Sequence, residues 1–215
     1  MPPKYDLVLF DLDGTLADTD KLIIETMYYL YDKYRDGIRT PLEQIYYFSG
    51  PPIKETLEKE FPNMDSDKLT QEFADISLPF YEKYVTLFPH ALETLNYLKN
   101  QGIKLGIVTS KSHNNTLHCL KVLNLLDLIP NFVAADDVKN IKPDPEGIFF
   151  LMNYFSIKNK EKVLYIGDNK SDYLAAKNAG IDVALVTWGP RKIDYSLNPN
   201  YWLNDFIDLE DIVCG

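Results

Sequence analysis

Four short apolar runs restrict this chain more than any other feature: Leu7 to Phe10, Leu105 to Val108, Val163 to Ile166 and Val183 to Val186, with Phe132 to Ala134 a weaker fifth. Runs of this length without polar alternation read as strands buried on both faces, which suggests a parallel sheet. Helical spacing fills the intervals. Leu92, Leu95 and Leu98 share a helix face, with Pro89 near its start and Gly102 just past its end, and Leu174, Ala175 and Ala179 before Gly180 repeat the arrangement. Strand alternating with helix predicts an α/β fold, a doubly wound parallel sheet whose ligands bind at the carboxyl ends of the strands.

Between the first and second strong runs lie about ninety residues, where a simple crossover needs only about a dozen. Apolar positions at helical spacing run from about Asp20 to Asp36 (Leu22, Ile23, Met27, Leu30, Tyr31, Tyr34), and Ile53 to Phe61 and Asp67 to Tyr84 continue the pattern. Pro79 is expected to kink or break the last of these. The expected organisation is an α/β core domain from residues 1–15 and 85–215, with an inserted α-helical domain over 16–84 mounted above the strand edge.

The residues that follow each run sit where the chemistry of such a fold is expected. Asp11, Thr109 and Gly167-Asp168 follow three of the strong runs; Asp136 and Asp137 follow the weaker one, with Lys142-Pro143-Asp144-Pro145 a few residues on. In Asp11-Leu12-Asp13-Gly14 two carboxylates stand two residues apart beside a glycine that permits a sharp turn, and Asp168 to Asp172 supplies two more acids. Two carboxylates about 4 Å apart repel by roughly 4 kcal/mol at an effective dielectric near 20, so Asp11, Asp13 and Asp168 sit together only if neutralised. A divalent cation is the simplest neutraliser. All-oxygen ligands suit Mg²⁺, whereas zinc would want His or Cys, and Gly14 comes too early for a calcium-binding EF-hand loop. Taken singly, Asp13-Gly14 and Asp168-Asn169 are ordinary polar turns; the signal lies in both together, with a threonine and a lysine at the same edge.

The net charge of -10 opposes binding to nucleic acid or an anionic membrane, and no basic cluster offsets it. An anionic substrate then needs positive charge concentrated at one place, through a metal ion, a lysine and backbone N–H groups. With 46% hydrophobic and 13% aromatic residues the whole chain should be folded. Cys119 and Cys214 form neither a disulfide framework nor a zinc pattern, and the run at Leu7 stops at Asp11, too early for a signal peptide. A soluble, cytoplasmic protein with reduced thiols is expected, as a monomer or homodimer.

These motifs are where a family resemblance appears. Asp11-Leu12-Asp13-Gly14-Thr15-Leu16, Val108-Thr109-Ser110, Lys142-Pro143-Asp144-Pro145 and Gly167-Asp168 to Asp172 occur in an order that resembles the haloacid dehalogenase superfamily, in its phosphoglycolate phosphatase-like branch with a helical cap, and the likeness spans nearly the whole chain. The resemblance implies a Rossmann-like core and a hydrolase in which Asp11 is the nucleophile, forming an aspartyl-phosphate, and Asp13 serves as acid and then base. It implies Mg²⁺ held by Asp11, the Asp13 backbone carbonyl and Asp168, with Asp172 steadying the metal's waters or Lys142. Thr109, Ser110 and Lys142 would bind the phosphate. An aspartate at position 13 favours phosphate esters or anhydrides over carbon–halogen chemistry.

Ser49-Gly50-Pro51-Pro52 resembles the substrate-facing cap loop of phosphoglycolate and pyrophosphate hydrolases, which makes Gly50, and Lys54 one turn later, candidate substrate contacts; a plain inter-helix turn fits nearly as well. His90, His113 and His118 offer no metal pair at helical spacing, the fifteen tyrosines are assigned to packing, and Trp188-Gly189-Pro190 is read as a loop near the edge without a role. A small phosphomonoester such as 2-phosphoglycolate is the expected substrate. Pyrophosphatase, phosphosugar mutase and a catalytically silent binding protein are the rivals.

Overall fold

The computed structural model describes residues 2–215. Its elements are β1 (Leu7–Phe10), β2 (Ala17–Asp18), α1 (Asp20–Tyr34), α2 (Leu42–Ile45), α3 (Ile53–Glu60), α4 (Ser66–Tyr84), β3 (Thr86–Leu87), α5 (Ala91–Asn100), β4 (Lys104–Val108), α6 (His113–Val122), β5 (Phe132–Val133), α7 (Glu146–Tyr154), β6 (Val163–Gly167), α8 (Lys170–Ala179), β7 (Asp182–Val186), β8 (Tyr201–Leu203) and α9 (Asp208–Cys214). Six strands form one sheet in the order β5-β4-β1-β6-β7-β8, every pairing parallel. Because β1 is central and the chain moves first one way from it and then the other, the order reverses between β1 and β6, the switch point where such folds bind ligands.

Strand alternation divides the core into two layers. Val8 and Phe10 pack with Leu95, Leu120 and Leu209 on one face. Leu7 and Leu9 point the other way, toward Ile148, Leu151, Ala175 and Ala179. Tyr201–Leu203 is a sixth strand that the apolar-run reading misses: three residues are too few to show a pattern.

The helical insertion leaves and re-enters the sheet through a small antiparallel pair, Ala17 opposite Leu87 and Asp18 opposite Thr86. Its helices α1, α3 and α4 fall close to the expected spans, while α2 and the tight turn Tyr46–Phe48 were not anticipated. Pro79 does not break α4, which is one helix from Ser66 to Tyr84. The physical reason is its side: Pro79 and Asp75, whose carbonyl loses its partner, are both exposed, so water can satisfy that carbonyl. On the opposite side Leu69, Phe73, Ser77 and Tyr81 are buried, and their packing outweighs the local preference. Among the described residues no helix is long and apolar enough to cross a membrane.

Candidate active site

The chain leaves β1 with the Asp11 N–H still donating to Ile166 (2.8 Å), then wraps around the Leu12 carbonyl, which accepts from Thr15, Leu16 and Ala17. Gly14 makes this turn with φ +82°, and a β-carbon there would lie 2.5 Å from Asp168 Oδ2. Only glycine lets the turn approach the end of β6 so closely. From β6 the chain enters α8 through a capping box, in which Asn169 accepts from the Ser171 and Asp172 N–H groups while Asp172 accepts from the backbone.

Asp11, Asp168 and Asp172 therefore converge, each with a carboxylate oxygen within 4.8 Å of the others. Lys142 lies among them, its ammonium 2.8 Å from Asp11 Oδ1 and 2.7 Å from Asp172 Oδ1. It also donates to the buried Tyr165 hydroxyl at 3.3 Å, while its contact with Asp11 is an ion pair without an aligned hydrogen bond. Asp172 is saturated: one oxygen faces Lys142 and Tyr165, the other the Asp168 and Asn169 N–H groups. Its structural role is to orient Lys142.

Asp11 Oδ1 and Asp168 Oδ2 differ. Both are buried without a well-aligned hydrogen bond, although each has a cation nearby, Lys142 and, at 2.6 Å, Arg191. Burial pushes Asp11 up to about 8 against the pull of Lys142, and Asp168 to about 6 against the pull of Arg191. Burial draws the Lys142 ammonium down, but Asp11 and Asp172 outweigh it and hold it well above its ordinary value. Across the cluster five carboxylates (Asp11, Asp13, Asp20, Asp168, Asp172) face three cations (Lys111, Lys142, Arg191). The shortfall equals the charge of one divalent ion. The two oxygens lacking aligned donors belong to Asp11 and Asp168, so an all-oxygen donor set of this kind fits Mg²⁺.

Asp13 faces away from these oxygens, toward Lys111 at 2.8 Å. Both line a cavity of about 190 Å³ with Asp11, Thr109 and Ser110, roofed by Phe48, Gly50, Pro51 and Lys54 of the helical insertion. A larger space, about 660 Å³, opens on the far side of the Ser49–Pro52 loop beside Asp168, Arg191 and Trp202. It contains neither Asp11 nor Asp13, while Ser110, Lys142 and Asp168 line it. Thr109 is buried, and its hydroxyl accepts from the Lys111 N–H at 3.2 Å. Lys54 lines the cavity, but its ammonium pairs with the exposed Asp67 at 2.5 Å.

Other sequence candidates fall elsewhere. Asp136 accepts from the His113 N–H, Asp137 closes the turn at Ala134, and Asp144 accepts from the Glu146 N–H. His90 is exposed with φ 61° and pairs with Asp205. Trp188 packs on Phe88 and Phe206.

Three participants escaped the sequence reading. Lys111 follows Thr109-Ser110 directly and the strand-end rule would have reached it. Tyr165 is hidden inside an apolar run, and Arg191 lies in an irregular loop that offers no periodicity.

Fold, motif order and clustered acids together define a haloacid dehalogenase-type phosphohydrolase. The chain belongs to that family: residues 8–186 match its model, haloacid dehalogenase-like hydrolase. Among individual proteins, it is 35% identical to the pyrophosphatase PpaX of Halalkalibacterium halodurans over 98% of this chain and 97% of that one. A haloacid dehalogenase-like hydrolase structure from Bacteroides fragilis superposes with TM-score 0.85 at 28% identity, covering 96% of this chain and all (100%) of that one. A predicted phosphoglycolate phosphatase from Haemophilus somnus gives 0.82 at 22% identity over 97% and 98% of the two chains, a likeness of fold.

Proposed function

We propose that this phosphohydrolase is Mg²⁺-dependent, works through Asp11 and acts on a small phosphate compound, with inorganic pyrophosphate the first candidate and a small phosphomonoester such as 2-phosphoglycolate the second. The observation that carries the reading is the convergence of Asp11, Asp168 and Lys142 at the switch point, with Asp13 beside Asp11 on the wall of the small cavity. Sequence alone favours the monoester. The name of the PpaX relative, similar along nearly its whole length, moves pyrophosphate ahead. Phe48, Phe73 and Ile53 in the cavity wall are the feature that favours a substrate with a carbon skeleton.

In this reading an Asp11 carboxylate oxygen attacks phosphorus. The bond to the leaving oxygen breaks as that oxygen takes a proton from Asp13. Asp13, now a carboxylate, then takes a proton from water, which attacks the same phosphorus and returns the Asp11 carboxylate and free phosphate. Lys142, the Thr109 hydroxyl and Ser110 hold the phosphoryl oxygens, whose charge is spread over three equatorial positions. Asp11, the Asp13 backbone carbonyl and Asp168 would hold Mg²⁺, with Asp172 acting through Lys142, and the ion would supply the charge that lets two anions meet. Residues 16–84 act as a cap over a core of 1–15 and 85–215, opening on segments near Leu16 to Asp20 and Leu87 to Pro89. The paired strands β2 and β3 support that placement, since they gather both crossings into one spot. Gly50 and Lys54 are the cap's substrate contacts. We place the protein in the cytoplasm, acting on a small phosphorylated metabolite.

The test is phosphate release from pyrophosphate, 2-phosphoglycolate, both glucose phosphates and an aryl phosphate, each with Mg²⁺ or chelator, for wild type and Asp11→Asn. Pyrophosphate should give the highest kcat/KM, with activity lost in chelator and reduced at least about 10³-fold by the substitution. No turnover of any substrate with Mg²⁺ would sink the enzymatic reading in favour of a binding protein.

A further inference from the structure

Arg191 is a strong cation of the cluster that lies outside every phosphate-handling motif. It sits in the irregular stretch between β7 and β8, yet its side chain is only 8% exposed. Its guanidinium joins segments distant along the chain. One nitrogen lies 3.1 Å from Asp20 Oδ1 at the start of α1 and donates to the Tyr46 carbonyl at 2.7 Å. Another lies 2.6 Å from Asp168 Oδ2 at the end of β6. The Gly14 turn is shaped around it, because a β-carbon at Gly14 would fall 2.0 Å from that second nitrogen. The next residue continues the contact, with the Lys192 N–H donating to the Tyr47 hydroxyl at 3.3 Å. Asp20, Tyr46 and Tyr47 belong to the helical insertion, while Asp168 belongs to the sheet edge.

This arrangement sets two demands on one carboxylate. Asp168 is a ligand in the proposed metal site, and its Oδ2 already faces a guanidinium that makes no aligned hydrogen bond with it. A divalent ion and a guanidinium within a few ångströms of each other repel, and burial strengthens the repulsion. Asp20 and the Tyr46 carbonyl keep acceptors on the insertion side whatever happens at Asp168. A multi-acceptor clasp of this kind suits arginine's planar fork and not a lysine.

We propose that Arg191 is a positioning residue that clasps the Tyr46 segment of the insertion to Asp168 and competes with the divalent ion for that carboxylate, so that metal binding loosens the clasp. By reciprocity, holding the clasp weakens metal binding by the same factor. The inference rests on the metal site proposed above. It goes further in coupling the ion to the insertion through a residue outside that site's motifs.

The test needs no turnover. Mg²⁺ is titrated calorimetrically into chelator-treated wild type and Arg191→Gln, and amide exchange is followed across residues 42–52 with and without Mg²⁺. Arg191→Gln should bind Mg²⁺ about tenfold more tightly, and its 42–52 amides should exchange about tenfold faster without metal. Wild type should show faster exchange there when Mg²⁺ is added. Asp20→Asn serves as the control: it removes one insertion-side acceptor while Arg191 stays on Asp168 and the Tyr46 carbonyl, so Mg²⁺ affinity does not tighten and the 42–52 amides keep their protection. Should Arg191→Gln fail to fold, Arg191→Lys, which cannot span all three acceptors, carries both readouts in the same directions. Unchanged or weaker Mg²⁺ binding in the Arg191 variant overturns the competition, and unchanged exchange overturns the clasp. If wild type itself binds no Mg²⁺, the metal reading falls and this inference with it, a result distinct from either.

Discussion

The Lys111 ammonium lies 2.8 Å from Asp13 Oδ2 and 2.9 Å from Oδ1, and both side chains are largely withdrawn from solvent at the cavity wall. Burial pulls the lysine's proton affinity down, but Asp13 beside it prevails and the ammonium stays charged. A fixed cation on both oxygens aims the carboxylate along the cavity wall. Lys111→Met should lower kcat by about 10–100-fold, less than the roughly 10²–10⁴-fold expected for Asp13→Asn. Because Lys111 acts through Asp13, the double variant should be no slower than Asp13→Asn alone. Steady-state kinetics on the four proteins decides it; additive losses would mean that Lys111 has a separate task.

Lys142 is the structural centre of the cluster as well as a proposed phosphate ligand. Replacing it with Met leaves Asp11 and Asp172 buried without their shared cation. Breaking a buried pair by removing one partner costs about 3–5 kcal/mol, which for a chain of this size lowers Tm by about 10 °C. Calorimetry of the chelator-treated variant measures it. The exposed pair between Lys54 and Asp67 provides the contrast, since Lys54→Ala should cost less than about 1 kcal/mol. Equal Tm values for the two variants would show that the cluster does not bear on stability.

The raised carboxylates predict how stability follows pH. Asp11 moves from 3.8 up to about 8 and Asp168 from 3.8 to about 6, so the folded chain retains protons that the unfolded chain releases. Stability then declines wherever the folded state holds more protons, here as pH rises from about 4 towards 8. The Tm of chelator-treated protein should drop across that window. Added Mg²⁺, which binds the ionised form, should raise Tm more at pH 8 than at pH 5.5. A metal-free Tm that stays level or climbs between pH 5 and 8 would contradict the burial argument.

How much of this was legible beforehand follows from which residues announce themselves. Asp11, Asp168 and Thr109 end buried apolar runs, so the rule that sites form at strand ends located them without coordinates. The helices α1, α3 and α4 were legible because their apolar faces repeat at helical spacing. Asp172 lies in the cluster and bonds Lys142 and the backbone at the start of α8, a division of labour visible only from hydrogen bonds. Arg191 was invisible because a cation in an irregular loop looks like any solvated surface charge until the fold buries it. Pro79 misled for the opposite reason: its local effect is real, but α4 turns it toward solvent, where losing one N–H costs little.

The two cysteines give a readout of the fold that needs no substrate. Cys119 is fully buried on α6, and burial pushes its thiol up to about 12, so at pH 8 it is neither accessible nor ionised. Cys214 is half-buried beside the last residue, its thiol raised by burial to a lesser degree. Because the thiolate is the reactive form, an aromatic disulfide reagent at pH 8 should modify one cysteine per native chain and the second only on unfolding. The slow phase then reports the opening that exposes α6, governed by the stability of the surrounding core. Lys142→Met should accelerate that phase by about the factor its stability loss implies, roughly 10²-fold or more for 3–5 kcal/mol if the opening is global. Two fast equivalents in wild type would show that α6 opens far more readily than its packing allows, and an unchanged slow phase in the variant would detach the acidic cluster from the core that carries it.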